Sequence, residues 1–215
     1  MSLLISESKQ GDYVLPPAGN HLARCYRVID LGTQKTVWNN IEKASKKCMI
    51  VWELHGENDA GDPLITADGR PLAVSRRFTP SLSEKASLRA VLASWRGRDF
   101  TREELNGFHL KDILDKWCMV NITHDLGKNE KTYANVSNVT GVPSAIRKAG
   151  LPEAVNPIVW FDIDEPDMAI FDAFPDYLKK IISETPEWRV LEVRGTSSKK
   201  AEEKIVDIDD DLIPF

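Results

Sequence analysis

The chain reads as a mainly β protein with a few helices, a small antiparallel barrel interrupted by one helix, and three observations lead there. Short runs rich in β-branched and aromatic residues recur in five places. One strongly amphipathic helical stretch falls between the third and fourth of them. Gly, Pro, Asp and Asn cluster between the runs, where turns need them. The 215 residues suit one domain of about 150 residues with extensions, large enough to bury a core without disulfides.

The elements follow in order. Residues 1–19 are an irregular lead-in ending at Pro16-Pro17-Ala18-Gly19. From His21 to Leu31 the pattern is a half-buried strand, with Leu22, Arg24, Tyr26 and Val28 alternating against Ala23, Cys25, Arg27 and Ile29. A polar loop from Gly32 to Lys47 opens onto a second strand, Cys48 to Leu54, and a third is expected at Pro71 to Phe78, after the turn signal Asp68-Gly69. Ser81-Leu82-Ser83-Glu84 has the form of a capping box for a helix carrying Leu88, Val91, Leu92 and Trp95 at helical spacing and stopping at Gly97. A second capping box, Thr101 to Glu104, starts a short helix ending at Asn106-Gly107. Trp117 to Thr123 and Thr132 to Val139 form a hairpin around His124 to Lys131. Three strands, a helix and two strands is the order of the OB fold, a five-stranded Greek-key barrel with its helix between strands 3 and 4. Residues 20–145 are therefore the expected domain. Residues 146–193 form a strand and helix extension, with a short run at Ile158 to Phe161 and a helical segment from Pro166 to Ser183 broken at Pro175. It packs either on the barrel or on a neighbouring subunit. Residues 194–215 are a flexible acidic tail.

Composition narrows the function. Cys25, Cys48 and Cys118 are odd in number and scattered, as reduced core thiols are, and they and the four histidines lack metal-ligand spacing. No apolar run approaches the ~18 residues of a membrane span and no signal segment is recognisable, so a cytoplasmic protein with no membrane partner is expected. Net charge is -5, but residues 20–150 hold 20 Lys+Arg against 15 Asp+Glu and residues 151–215 hold 7 against 16. A basic body with an acidic tail suits a polyanion-binding part joined to an interaction arm.

The chain carries no phosphate-binding glycine loop, no nucleophile elbow and no thiol with a base at useful spacing, and neither an enzyme nor a cofactor is expected. Asp162 and Asp164, before Pro166, are the one pair that could hold a divalent ion, although such a pair more often caps the following helix. Binding residues are plentiful. In an OB fold the ligand lies across strands 2 and 3, gripped by the loops between strands 1 and 2 and strands 4 and 5. Those elements hold Lys35, Trp38, Lys43, Lys46 and Lys47, then Trp52, then Arg76, Arg77 and Phe78, and lastly Lys128, Lys131 and Tyr133. Cations interleaved with rings suit single-stranded nucleic acid, because phosphates need positive charge and an unstacked base gains ~1–3 kcal/mol on an aromatic face. Trp52 is a core ring or a stacking platform depending on register, only one of Arg76 and Arg77 can face a groove, and Trp95 and Trp117 belong to the core. Trp38, in a polar stretch, is the better stacking candidate.

The C-terminus is the most specific feature. Asp207, Asp209, Asp210 and Asp211 precede Leu212, Ile213, Pro214 and Phe215. A charge run keeps such a segment solvated, while the apolar tip and terminal carboxylate make a compact bait for a pocket rimmed by Lys or Arg. The tail is similar to the acidic tips of bacterial and phage single-stranded DNA-binding proteins, in which aspartates precede Ile-Pro-Phe or a terminal Phe; here Leu212 is interposed between Asp211 and Ile213. The chain as a whole resembles phage-encoded proteins of that type, and Ser83 to Arg89, Trp95 to Thr101 and Lys131 to Val136 resemble stretches of phage replication-module proteins. The resemblance implies sequence-independent coating of single-stranded DNA in replication, recombination and repair, with the tail recruiting a helicase, nuclease, primase or polymerase. The alternatives are a strand-annealing recombination protein and a metal-dependent nuclease using Asp162 and Asp164.

Overall fold

The computed structural model describes residues 14–38, 41–127 and 130–191; the acidic tail and most of the lead-in lie outside the described residues. Its spine is a pair of long antiparallel strands, β1 (Gly19–Trp38) and β2 (Ile41–His55), in register from Leu22↔His55 to Trp38↔Ile41. The expected polar loop from Gly32 to Lys47 is therefore a two-stranded ribbon. Thr33, Thr36 and Val37 favour extended backbone, and a ribbon exposed on both faces has no need of the apolar alternation that would announce it. Its root is tied down. Thr33 donates to Glu187 from its backbone N–H (3.1 Å) and its hydroxyl (2.6 Å), and the Gln34 amide donates to Ile181 O at 3.2 Å.

The first strand is buried on both faces rather than half buried. Ala23, Cys25 and Val28 join Ile50, Trp52 and Leu54 in one core, whereas Tyr26, Ile29 and Leu31 join Met49 and Val51 in another. A bulge makes this possible. Cys25 pairs with Trp52 and Arg27 with Val51, so Tyr26 is the extra residue, and the alternation slips by one position. Val28 thereby shares the face of Ala23 and Cys25 instead of that of Leu22 and Tyr26.

Four more strands complete a mainly antiparallel sheet of order β3-β2-β1-β4-β5: β3 (Ala73–Phe78), β4 (Trp117–Leu126), β5 (Thr132–Thr140), and β6 (Val159–Phe161), which runs parallel to β1. The sheet holds the five expected strands and, as β6, the short run expected at Ile158 to Phe161, and among the described residues it does not close. The edges of β3 and β5 approach each other without a ladder, and Arg76 of β3 spans the seam, donating from Nη1 to the carbonyls of Val136 (3.0 Å) and Ser137 (3.1 Å) on β5.

Between β3 and β4 come α1 (Ser87–Arg96), α2 (Arg102–Asn106) and a 3-10 turn at Leu110–Ile113. Helix α1 puts Leu88, Val91, Leu92 and Trp95 into the first core and ends at Gly97 with φ 70°, a left-handed cap that glycine adopts freely. It starts six residues after the expected cap. Ser81 instead binds the Ser83 N–H in a local turn, and Ala86 precedes the helix without a side-chain cap. The second capping box forms as expected, Thr101 accepting from Glu104 N and Glu104 from Thr101 N. After α3 (Ser144–Ala149), the segment 155–191 covers the outer face of β1 and β2. Its α4 (Met168–Asp172) and α5 (Asp176–Ser183), separated before Pro175, pack Phe174, Leu178 and Ile182 with Phe161, Ile163 and Trp188 into the second core. The three cysteines are buried and unpaired; burial pushes their thiols up, that of Cys48 to about 12.

Candidate nucleic-acid interface

Strand alternation on β3 places Val74 and Phe78 in the core and leaves Ala73, Ser75 and Arg77 exposed. Arg76 lies half-buried in the seam, its guanidinium 5.0 Å from the centre of the Phe78 ring. Outside the seam runs a depression of about 530 Å3, lined on one side by Ser75, Arg76 and Arg77 and on the other by Thr123, Asn135 and Ser137. Asp125 also lines it and accepts from the Asn135 amide at 2.8 Å. Ser75 is shared with a second depression of about 280 Å3 toward α5, bordered by Tyr26, Arg27, Val51 and Tyr177. Together they make a groove along β3. Among the described residues Arg27 and Arg77 meet no carboxylate, so both charges remain available to an anion. Of the two neighbouring arginines, Arg77 is the one that faces outward, while Arg76 is committed to the β5 carbonyls.

The other expected contacts divide. Trp52 has no exposed surface and sits 6.2 Å from Trp95, centre to centre, and Phe78 is equally enclosed. Both are core rings rather than stacking platforms, because the alternation of β2 and β3 turns them inward. Lys46 ion-pairs with Asp30 at 3.0 Å and Asp164 at 3.4 Å, and Lys47 donates to the Thr79 hydroxyl at 2.7 Å. These two serve the ribbon root. Lys35 pairs with Glu42 at 2.7 Å and Lys43 is exposed, both on the ribbon beyond its root, where Val37 and Ile41 also stand in solvent. Trp38 pairs with Ile41 at the ribbon end, but its side chain lies outside the described residues, as does Lys128. Lys131 and Tyr133 are exposed at the β4–β5 hairpin. Trp95 is a core ring as expected, while Trp117 is only half-buried, its ring 4.8 Å from His55. The tail residues Asp207 to Phe215 lie outside the described residues.

Asp162 and Asp164 meet a third carboxylate, Asp30, with oxygens of all three within 4.8 Å of one another. Burial pushes the Asp30 carboxyl above its usual value, against the opposing pull of the Gly32 N–H and Lys46. The Lys46 ammonium lies on two of the three carboxylates, so the cluster already holds an internal cation that closes the ribbon root onto the segment after β6.

Sequence reasoning missed Arg27, Tyr177, Asn135 and Ser137. Arg27 hid because the bulge at Tyr26 changes which residues share a face, and Tyr177 because its helix reads as packing. A period of two fits Asn135 and Ser137, which flank the buried Val136. In comparisons with known proteins, no family model and no curated protein matches the chain. No helix among the described residues is long and apolar enough to cross a membrane.

Proposed function

We propose that the chain is a sequence-independent single-stranded DNA-binding protein, with DNA in the groove along β3 and partner proteins recruited by the C-terminal tail. The observation that carries it is the groove itself: an outward arginine without a carboxylate partner, facing hydroxyl and amide groups across an unladdered seam whose one carboxylate among the described residues, Asp125, is engaged by the Asn135 amide. Such a lining offers charge to phosphates and adaptable hydrogen bonds to sugar and base, without a rigid array that would read sequence. The fold reading that accompanies it is an OB barrel left open at one seam. It is supported by the order β3-β2-β1-β4-β5, which becomes the OB circuit once β3 meets β5, and by the Arg76 bridge between those edges.

The tail is the other half of the proposal. Four aspartates in the five positions 207–211 would compete with phosphates for the same cations, so DNA and tail exclude each other and DNA binding frees the tip Ile213-Pro214-Phe215. The experiment is a salt-dependent fluorescence titration of the full chain and of a chain ending at residue 204, with poly-dT and with duplex. Binding to poly-dT that weakens steeply with salt, and tightens at low salt when the tail is removed, is the expected result. No retention of poly-dT at low salt refutes the reading. Cleavage of a labelled oligonucleotide in magnesium would support the nuclease alternative on Asp162 and Asp164, and accelerated pairing of complementary strands the annealing alternative.

A further inference from the structure

A single strand laid across the outer face of β2 and β3 finds half of that face occupied. Met49 and Val51, the outward residues of β2, are buried beneath the C-terminal segment, and β2 there has nothing to offer a base. The strip left open runs between β3 and the first turn of α5. Two residues stand on it that packing does not explain. Tyr177 is 57 % exposed on a helix whose Leu178 and Ile182 already fill the core, so its ring is surplus to the fold. Arg27 faces it from the β1 bulge.

Arg27 is held in an unusual way. Its guanidinium carbon lies 5.3 Å from the Tyr26 ring centre and 6.0 Å from that of Phe174, while its Nε is buried with no hydrogen-bond partner and no carboxylate pairs with it among the described residues. Rings fix the guanidinium in place without neutralising it. A fixed, unneutralised arginine beside an exposed tyrosine, in a depression of about 280 Å3, has the chemistry of one nucleotide: phosphate to the cation, base to the ring.

We infer that α5 is a wall of the DNA groove, with Tyr177 stacking a base and Arg27 contacting the adjoining phosphate. This rests on the single-stranded DNA reading above. It makes the C-terminal segment part of the binding site as well as a cover for the sheet, and it extends the groove from Arg77 past Ser75 to α5.

The test uses the full chain and a fluorescent oligo-dT, read by anisotropy, with Tyr177→Ala, Tyr177→Phe and Arg27→Gln. A stacked base corresponds to between about five-fold and a hundred-fold in affinity. Tyr177→Ala therefore weakens binding at least about five-fold, and Tyr177→Phe, which keeps the ring, stays within about two-fold. Arg27→Gln lowers the slope of log affinity against log salt by about one. Because Arg27 is partly enclosed, its melting temperature is measured alongside, and photocrosslinking of bromodeoxyuridine-substituted oligo-dT gives an independent readout, with adducts expected on Tyr177. If the parent chain binds oligo-dT while Tyr177→Ala binds it equally well and adducts fall elsewhere, the inference is overturned and the DNA reading stands. If the parent chain does not bind, both fall.

Discussion

Replacing Glu53 should cost the fold more than any other single carboxylate substitution. Glu53 sits on β2 with no exposed surface, and donors meet both of its oxygens. Oε1 accepts from Arg24 Nε at 2.7 Å, from His55 at 3.1 Å and from Val155 N at 3.3 Å; Oε2 accepts from the backbone N–H (2.8 Å) and side-chain amide (2.6 Å) of Asn156. Arg24, itself buried, also reaches Asp115 at 2.7 Å and the carbonyl of Asn156. Desolvation would raise the Glu53 carboxyl, but the hydrogen bonds from Arg24, Asn156 and His55 outweigh it and hold the group at about 2 against an ordinary 4.5. At about 1.4 kcal/mol per tenfold, that corresponds to about 3 kcal/mol of stability at neutral pH. Breaking a buried pair by removing one partner gives an independent figure of about 3–5 kcal/mol, because the other charge is stranded.

Two substitutions sharpen the prediction. Glu53→Ala strands Arg24, and Glu53→Gln does little better, since its NH2 group meets donors whichever way the amide is turned. Urea unfolding followed by tryptophan fluorescence should show both variants about 3 kcal/mol or more below the parent at pH 7. The pH dependence follows from the lowered carboxyl. Its contribution is complete above about pH 4.5 and disappears as pH falls toward 2, so the gap to Glu53→Ala should narrow by about 2 kcal/mol between pH 7 and pH 3. A loss under about 1 kcal/mol at pH 7, or a gap that does not change with pH, refutes the reasoning.

Three further outcomes are expected. Trp52→Ala should lose about 3–5 kcal/mol by emptying the centre of the first core, whereas Trp52→Phe, folded, should bind oligo-dT as the parent does; a selective loss of DNA affinity in Trp52→Phe would restore Trp52 as a contact. Arg76 and Arg77 should separate by assay: Arg77→Ala reduces the salt slope of DNA binding by about one with an unchanged melting temperature, while Arg76→Ala, which leaves the Val136 and Ser137 carbonyls without their donor, lowers the melting temperature. Gly32→Ala should destabilise by about 1–3 kcal/mol in thermal unfolding, because φ is +64° and a Cβ would stand 2.7 Å from Ile163 Cδ1 and 3.1 Å from Thr185 Cβ.

What could be read from the residues, and what could not, divides along physical lines. The β-rich class, the amphipathic face of α1 and the inward Trp95 were legible because each rests on local periodicity that burial enforces. The ribbon was not, since Gly32 to Lys47 carries the polar composition of a loop and its ladder is a pairing between segments that neither segment announces alone. The Tyr26 bulge was invisible for a related reason: one inserted residue reverses which side chains share a face, and nothing in Arg24-Cys25-Tyr26-Arg27 marks the slip. That slip decides the site. Without it Arg27 would share the inward face of Ala23 and Cys25 instead of standing on the groove side.

The cover over β1 and β2 explains why the groove lies where it does. In a barrel whose outer face is open, strand 2 would carry the ligand, and here Met49, Val51 and Glu53 are all buried under residues 155–191. The same segment that seals this face brings Asn156 onto Glu53, Asp164 onto Lys46 and Glu187 onto Thr33. These anchors fall on both strands: Glu53 of β2 lies near the end of the ladder away from the ribbon, while Lys46 of β2 and Thr33 of β1 are cross-strand partners at the ribbon root, so the segment is tied to the spine at two levels. A rigid cover leaves the β3–β5 seam as the accessible edge of the barrel, and there the unneutralised arginines gather. The Glu53 and Arg77 experiments thus probe two sides of one arrangement. The first tests whether the cover is fastened as described, and the second whether the strip it leaves uncovered is where an anionic strand binds.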